Sequence, residues 1–179
     1  MTEFCRDNKA AIYNWPQGVC VALLHAIAAK TPGVVTKIGL KTFMDPRHGG
    51  GRMNAAATED LIELVELGGE EWLLYKAPKK IDVAIIRGTL ADENGNISMR
   101  KEGYKLGQLA AGEAARATGG IVICQVERIV KAGTLNPKEV EVPGILVDYV
   151  YTAKPEYHWQ TAKSVYNPVF SGEVRVPLD

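Results

Sequence analysis

The glycine-rich stretch from Gly39 to Asn54 constrains the fold of this chain most strongly. It follows an apolar, strand-like segment and rules out regular structure for about a dozen residues. Asp45-Pro46 favours the start of a turn, and the run Gly49 to Gly51 permits positive φ and a close backbone approach to a ligand. Long ordered loops in compact domains usually bind ligands or close over them, so we interpret this loop as functional. The alternative is a flexible surface connection.

The composition is that of an ordinary globular protein and excludes several function classes. The chain has 179 residues, 46% of them hydrophobic and 23% charged, which suffices for one well-buried domain or for a piece of a larger one. Its 21 basic and 21 acidic residues cancel, which argues against a nucleic-acid partner. No apolar run reaches the length of a membrane helix and the N-terminus does not resemble a signal peptide, so we expect a cytoplasmic protein.

The cysteines and histidines are too scattered to indicate a metal site. Cys5, Cys20 and Cys124 are odd in number and contain no C-x-x-C pair, so we expect reduced, mostly structural thiols. His25 lies in an apolar helical segment and is interpreted as a core or edge residue, whereas His158 falls in a polar tail.

Apolar residues switch repeatedly between strand and helix periodicity along the chain. This alternation is typical of an α/β fold with a mainly parallel central sheet, helices on both faces and, here, an inserted β-hairpin. The predicted elements are a buried strand at 10–15, a helix at 19–30, a strand at 34–38, a hairpin formed by 61–67 and 71–76, a buried parallel strand at 81–87, a hairpin-type turn at 91–96 before 97–99, a helix at 103–118, and strands at 121–126 and 145–151.

The two ends of the chain carry further expectations. After Lys154-Pro155 the sequence becomes polar and aromatic, so we divide the chain into a partial domain at 1–153 and an extended tail or linker at 154–179. The first segments look like the middle of a doubly wound pattern, which predicts a fragment without its first βα unit. The sheet edge left unpaired would then favour oligomerisation, with a homodimer as our expectation.

Several motifs in one order resemble the α half of family I CoA-transferases, of the acetate/propionate type, over essentially the whole chain. The resemblance implies the Rossmann-related fold of CoA-transferases and sugar-isomerase-like proteins. The motifs are Tyr13-Asn-Trp-Pro-Gln-Gly18, Gly39 to Asn54 with Thr42-Phe-Met-Asp-Pro-Arg47, Ile86-Arg-Gly-Thr89, Asp92-Glu-Asn-Gly-Asn96, Gly119-Gly-Ile-Val122, Val126-Glu-Arg128, Val130-Lys-Ala-Gly133 and Val142-Pro-Gly-Ile-Leu-Val-Asp148.

The resemblance also implies a function, namely ping-pong transfer of coenzyme A between a short-chain acyl-CoA and a free carboxylate such as acetate or propionate. The nucleophilic glutamate lies on a β half that this chain does not contain, so we expect a subunit or fragment that is inactive alone. The implied partners are that β half, in a homo- or hetero-oligomer, and the acyl-CoA and carboxylate substrates, with no permanently bound cofactor. The alternative is a non-catalytic ligand-binding or interaction domain, or a gene remnant, that keeps the fold.

One catalytic residue follows from the resemblance. In the related succinyl-CoA:3-ketoacid enzymes a glutamine in a Pro-Gln-Gly turn donates its side-chain amide to the thioester oxygen, and Gln17 occupies that position. The alternative is that Gln17 merely caps the helix that begins beside it. The expected substrate and CoA pocket is formed by Gly18, Asp45, Arg47, Gly49, Gly50 and Gly51.

Arg47, the Glu93-Asn94-Gly95 sequence and Glu113 have open or discounted roles. Arg47 suits a carboxylate substrate because of its planar guanidinium, but it equally suits a pair with Asp45. Glu93-Asn94-Gly95 resembles a nucleophile signature, yet Asn-Gly is a strong hairpin signal, and we interpret it as a structural turn. Glu113 is expected to face solvent.

Overall fold

The computed structural model describes residues 2–162 and 164–177. The chain forms two compact units, the first ending at Lys79 and the second beginning at Lys80. The domain boundary expected at 153/154 stays a prediction, and Met1, Lys163, Leu178 and Asp179 of its two ranges lie outside the described residues. No helix within the described ranges is long and apolar enough to cross a membrane.

The first unit combines two helices with an antiparallel sheet. The helices are α1 (Thr2–Arg6) and α2 (Gln17–Ala28), and the strands are β1 (Gly33–Thr36), β2 (Ile62–Leu67) and β3 (Glu70–Lys76) in the order β1-β3-β2. The predicted helix, strand and hairpin are thereby confirmed. Their core contains Val19, Leu23, Ile62, Leu73 and Tyr75.

The strand predicted at 10–15 is wrong. This segment makes only an isolated bridge between Tyr13 and Arg52. Its backbone groups bond instead to the glycine loop: the Ile12 amide donates to Oδ1 of Asn54 at 3.1 Å, and the Ile12 carbonyl accepts from Met53 at 2.9 Å. A side chain and loop backbone therefore take the places that a neighbouring strand would occupy.

The second unit contains two small sheets and one long helix. The parallel sheet has the order β10-β7-β4, formed by Tyr149–Thr152, Ile121–Val126 and Val83–Arg87. The mixed sheet has the order β8-β5-β6-β9, formed by Arg128–Val130, Leu90–Asp92, Ile97–Ser98 and Val140–Val142. Helix α3 spans Gln108–Ala117. The α/β class is confirmed, but the strands are distributed over three sheets rather than one.

Side chains of the parallel sheet alternate between a covered and an exposed face. Ala84, Ile86, Val122 and Cys124 are buried in one cluster with residues of α3. Ile85 points the other way and is 75% exposed, so the expectation that the whole run 81–87 is buried is wrong for that face. Alternating burial along a strand produces this pattern even where nearly every residue is apolar.

Two predicted elements begin later than expected. The helix predicted from Gly103 starts at Gln108, since glycines at 103 and 107 are disfavoured inside a helix. The strand predicted from Ile145 starts at Tyr149, because Gly144–Leu146 forms a 3-10 helix after Pro143. Just before Tyr149, the Asp148 carboxylate accepts the Val122 amide at 2.8 Å.

Candidate active site

The glycine loop is organised around one buried carboxylate. Asp45 is fully buried and accepts hydrogen bonds from the backbone amides of Lys41 (2.9 Å) and Arg47 (3.0 Å). Hydrogen bonding to the Arg47 side chain holds the pKa of Asp45 well below its usual value, against the opposing effect of burial. The Asp45 carbonyl accepts from His48 and Gly50 as well. Asp45 therefore shapes the loop from within, and a direct contact with substrate does not fit this geometry.

The Arg47 guanidinium is already engaged by two carboxylates. It donates in bidentate fashion to Asp45, at 3.0 and 2.8 Å, and reaches Glu71 on β3 at 2.9 Å. The pairing of Arg47 with Asp45, left open by the sequence, is what the structure shows. This double ion pair ties the loop to the hairpin and leaves the planar donor face of Arg47 occupied.

The loop also supports the segment that carries Gln17. The Asn14 amide donates to the Gly51 carbonyl at 2.8 Å. Gly51 has φ +72°, and a Cβ placed there would lie 2.9 Å from the Asn14 carbonyl oxygen and 3.1 Å from Trp15 Cδ1. Only glycine at position 51 allows these two segments of the chain to approach so closely. The structure thus brings together two motifs that are distant in sequence.

Gln17 and Gly18 lie at the exposed start of α2. Pro16 precedes the helix in an extended conformation, and the helix end has no side-chain capping hydrogen bond, so the capping alternative for Gln17 is not realised. A Cβ on Gly18 would meet nothing within 4 Å, so the space over this turn is open. An exposed amide side chain beside free helix N–H groups can face a developing negative charge.

A cavity of about 610 Å³ lies beside this segment. The Trp15 ring packs edge-on against Tyr75, with ring centroids 5.7 Å apart, and the Tyr75 hydroxyl donates to the Ile38 carbonyl at 2.8 Å. Neither Trp15 nor Cys20 was predicted from the sequence to line a site, although Trp15 stands within the motif that contains Gln17. The cavity is lined by Cys5, Ile12, Tyr13, Asn14, Trp15, Cys20, Met53 and Leu61.

The Glu93-Asn94-Gly95 sequence is a turn between β5 and β6, as predicted. The Asp92 carboxylate accepts from the Asn94 and Asn96 amides at 3.0 and 2.9 Å. Burial raises the pKa of Asp92, but its bonds to Asn96 and Asn94 outweigh that effect and lower it. Glu93 itself accepts the Ala132 amide at 3.1 Å. It is therefore part of the loop structure.

Of the remaining sequence candidates, His25 belongs to the first unit, and Glu113 and Cys124 belong to the second. Glu113 is partly buried on α3, and His25 is exposed on α2. Cys124 is buried, and burial together with the charge of Glu102 raises its pKa to about 12. Among the described residues no group of three or more His, Cys, Asp or Glu side chains is arranged to hold a metal ion.

Known proteins are similar to this chain in sequence. Residues 1–153 match the family model described as Coenzyme A transferase. The caffeate CoA-transferase of Acetobacterium woodii is 52% identical over 179 residues, 99% of this chain and 34% of that protein. The acetate CoA-transferase YdiF of Escherichia coli K12 is 45% identical over 150 residues, 84% of this chain and 28% of that protein. This chain thus spans about a third of the length of these relatives.

A solved structure supports the same assignment. The acyl-CoA transferase YdiF from Escherichia coli O157:H7, solved as a thioester complex with CoA, superposes with a TM-score of 0.89 at 41% identity, covering 98% of this chain and 34% of that one. The match therefore includes the loop, the turn before α2 and both units. With the family model spanning residues 1–153, this chain belongs to the coenzyme A transferase family.

Proposed function

We propose that this chain is the α half of a CoA-transferase that moves coenzyme A between a short-chain acyl-CoA and a free carboxylate. The observation that carries the proposal is the exposed position of Gln17 at the uncapped start of α2. The segment before α2 is held by a hydrogen bond to the glycine loop, which is organised around the buried Asp45. The chain's membership in the coenzyme A transferase family supports the proposal. The names of two relatives, a caffeate CoA-transferase and an acetate CoA-transferase, support it as well. We also propose a cytoplasmic location.

The proposed reaction is a double displacement through a glutamate on the β half. The glutamate carboxylate attacks the thioester carbonyl, expelling the CoA thiolate and forming an acyl-glutamyl anhydride. The thiolate then attacks the glutamyl carbonyl, which releases the first carboxylate and leaves glutamyl-CoA. The acceptor carboxylate reverses both steps, so that one acyl-CoA and one carboxylate are exchanged for another pair. Coenzyme A enters as part of a substrate, with no permanently bound cofactor.

Gln17 would act where negative charge develops in these steps. Each attack places a negative charge on a carbonyl oxygen, which a fixed neutral N–H donor stabilises without prior reorganisation. The open space over Gly18 allows the thioester to approach, while Gly49, Gly50 and Gly51 would form the wall beside it. Arg47 and Asp45 would contribute by holding this wall in place.

The proposed partner is a β half on another polypeptide or on a longer form of this chain. Support comes from the relatives, of whose length this chain spans about a third. A homo- or hetero-oligomer would bring the glutamate to Gln17.

The experiment compares the purified chain with and without a co-expressed β half. Each sample receives acetyl-CoA with propionate or with caffeate, and mass spectrometry detects propionyl-CoA or caffeoyl-CoA. We expect product only with the partner. Product from the chain alone would contradict the proposal that its nucleophile is elsewhere. No product in either sample, from a chain folded by circular dichroism, would favour the non-catalytic ligand-binding or interaction domain.

A further inference from the structure

The second unit contains a cavity of its own. Its volume is about 610 Å³, within the range of small-molecule sites. Its wall includes apolar side chains, Leu90 and Val165, the aromatic ring of Tyr166, and the buried imidazole of His158. None of the residues proposed for CoA transfer lines it, so a ligand site in this cavity is independent of the proposed function.

The hydrogen bonds around Gln125 determine which nitrogen of His158 carries the proton. The Gln125 group facing the Tyr157 carbonyl, 3.0 Å away, must be the amide nitrogen because a carbonyl oxygen only accepts. Its Oε1 accepts from the Tyr151 hydroxyl at 2.8 Å, which is consistent with that orientation. The same amide nitrogen lies 3.1 Å from His158 Nδ1, so Nδ1 is the acceptor. The neutral imidazole then carries its proton on Nε2.

This Nε2–H donor is buried and makes no hydrogen bond within the described residues. Its neighbour Glu102 has Oε1 3.7 Å from Nε2, beyond hydrogen-bond distance. Glu102 is itself paired with Arg87 at 3.0 Å. Burial raises the pKa of Glu102, but its contact with His158 and the charge of Arg87 outweigh that effect and lower it. An unsatisfied buried donor is destabilising, and an incoming oxygen acceptor would remove that cost.

The wall of the cavity carries three cationic and two acidic side chains, which leaves one cation in excess. Two of its three cationic side chains are paired: Lys101 Nζ lies 3.1 Å from Glu127, and Arg100 Nε lies 3.8 Å from Glu173. The third, Arg128, has no side-chain partner in the part of the chain that the structure describes. Its guanidinium suits carboxylate and phosphate oxygens.

We propose that this cavity binds a small organic anion, a carboxylate or a phosphate ester, whose oxygen accepts from His158 Nε2–H and whose charge is balanced by Arg128. The apolar wall formed by Leu90, Val165 and Tyr166 receives the organic part of the ligand. All the lining residues belong to the second unit, and the role assigned to this cavity is ligand binding.

Nitrogen-15 NMR of the three imidazoles tests this in the full chain. In the free protein the neutral form of His158 should be the Nε2–H tautomer. Benzoate and phenyl phosphate, titrated separately, distinguish carboxylate from phosphate binding, and benzyl alcohol is the neutral control. We expect a saturable shift at His158 with at least one anion, none with benzyl alcohol, and none at His25 or His48, which belong to the first unit.

Two variants complete the test. Arg128→Gln should weaken anion binding about tenfold, equivalent to about 1.4 kcal/mol, whereas Lys138→Gln, another exposed cation of this unit, should leave it unchanged. The proposal is overturned by the opposite tautomer at His158, by an unchanged His158 signal at millimolar anion, or by equal shifts at all three histidines. Equal weakening by both variants would also overturn it, because binding would then follow net charge.

Discussion

The backbone amide of Asn14 donates to the carbonyl of Gly51 at 2.8 Å, and this bond joins the two motifs on which the proposed site depends. One motif leads into Gln17 at the start of α2, and the other is the glycine loop. The adjacent bridge between Tyr13 and Arg52 extends the same contact. The position of Gln17 is therefore set by the loop as much as by its own helix.

Gly51→Ala should destabilise the first unit more than Gly69→Ala. Both glycines have positive φ, +72° and +78°, so both substitutions carry a similar backbone cost, roughly 1 to 2 kcal/mol. A Cβ at Gly51 would also press on the Asn14 carbonyl at 2.9 Å, whereas one at Gly69 meets nothing within 4 Å. We expect Gly51→Ala to lower the free energy of unfolding by about 1 to 3 kcal/mol more, measured by urea denaturation. Equal losses of unfolding free energy in the two variants would show that the loop moves away from the added Cβ at no energetic cost.

The sequence predicted the helices and strands whose hydrophobic periodicity is strong. It failed where contacts with segments distant in sequence decide the conformation. The Gly68-Gly69 hairpin and the run at 121–126 have local signals and were found. The segment 10–15 has the same apolar character, yet it pairs with an irregular loop, and no local sequence pattern predicts that contact. The division of the strands into three sheets likewise depends on long-range pairing, which single-sequence patterns do not contain.

Asp45→Asn tests the carboxylate that organises the loop. Because the pKa of Asp45 is lowered in the folded chain, ionisation stabilises the fold fully above the unfolded pKa, near 3.8, and that stabilisation is lost as pH falls towards the lower folded value. At neutral pH the variant should lose about 1 to 3 kcal/mol in free energy of unfolding. Its stability should also fall less steeply than that of the unmodified chain as the pH drops below about 4.

The control for Asp45→Asn is the exposed Asp7, also in the first unit, which forms an ion pair with Lys9 at 3.2 Å. Asp7→Asn should leave both the neutral-pH stability and its slope nearly unchanged, since exposed ion pairs contribute little. If the two variants gave superimposable pH profiles of unfolding free energy, the buried position of Asp45 would have no energetic role.

The site was partly predictable, because a motif identifies residues but not their surroundings. Gln17 was assigned from the resemblance of its Pro-Gln-Gly turn to that of the related succinyl-CoA:3-ketoacid enzymes, and its exposure at the helix start agrees with a donor role that stays proposed. Asp45 was expected to help form the substrate and CoA pocket, and in the structure its side chain is fully buried within the loop. Its several donors, from Lys41 and from Arg47, converge only after the loop has folded. A sequence pattern cannot distinguish a carboxylate that faces a ligand from one that faces its own loop.

Gln17→Ala should impair transfer without affecting stability. In the presence of a β half, loss of one oxyanion donor is expected to lower kcat by about 100- to 1000-fold, whereas the exposed side chain contributes little to folding. Mass-spectrometric turnover and thermal unfolding measure the two effects. Glu93→Gln is the control. Because Glu93 belongs to a turn, this substitution should leave turnover intact. Turnover lost in Glu93→Gln but kept in Gln17→Ala would reverse the two assignments.

The three thiols should react with a disulfide reagent at very different rates. Cys20 is exposed on α2 and should react fast, and Cys5 is partly exposed. Cys124 is 0% exposed, and burial and the nearby Glu102 raise its pKa to about 12, so almost none of it is the reactive thiolate at neutral pH. Cys124 should therefore react only when the second unit unfolds. Cys20→Ser should remove the fastest phase of the thiol reaction, whereas Cys124→Ser should leave that phase unchanged. If all three thiols of the native chain reacted rapidly, the core between α3 and the parallel sheet would have to open readily.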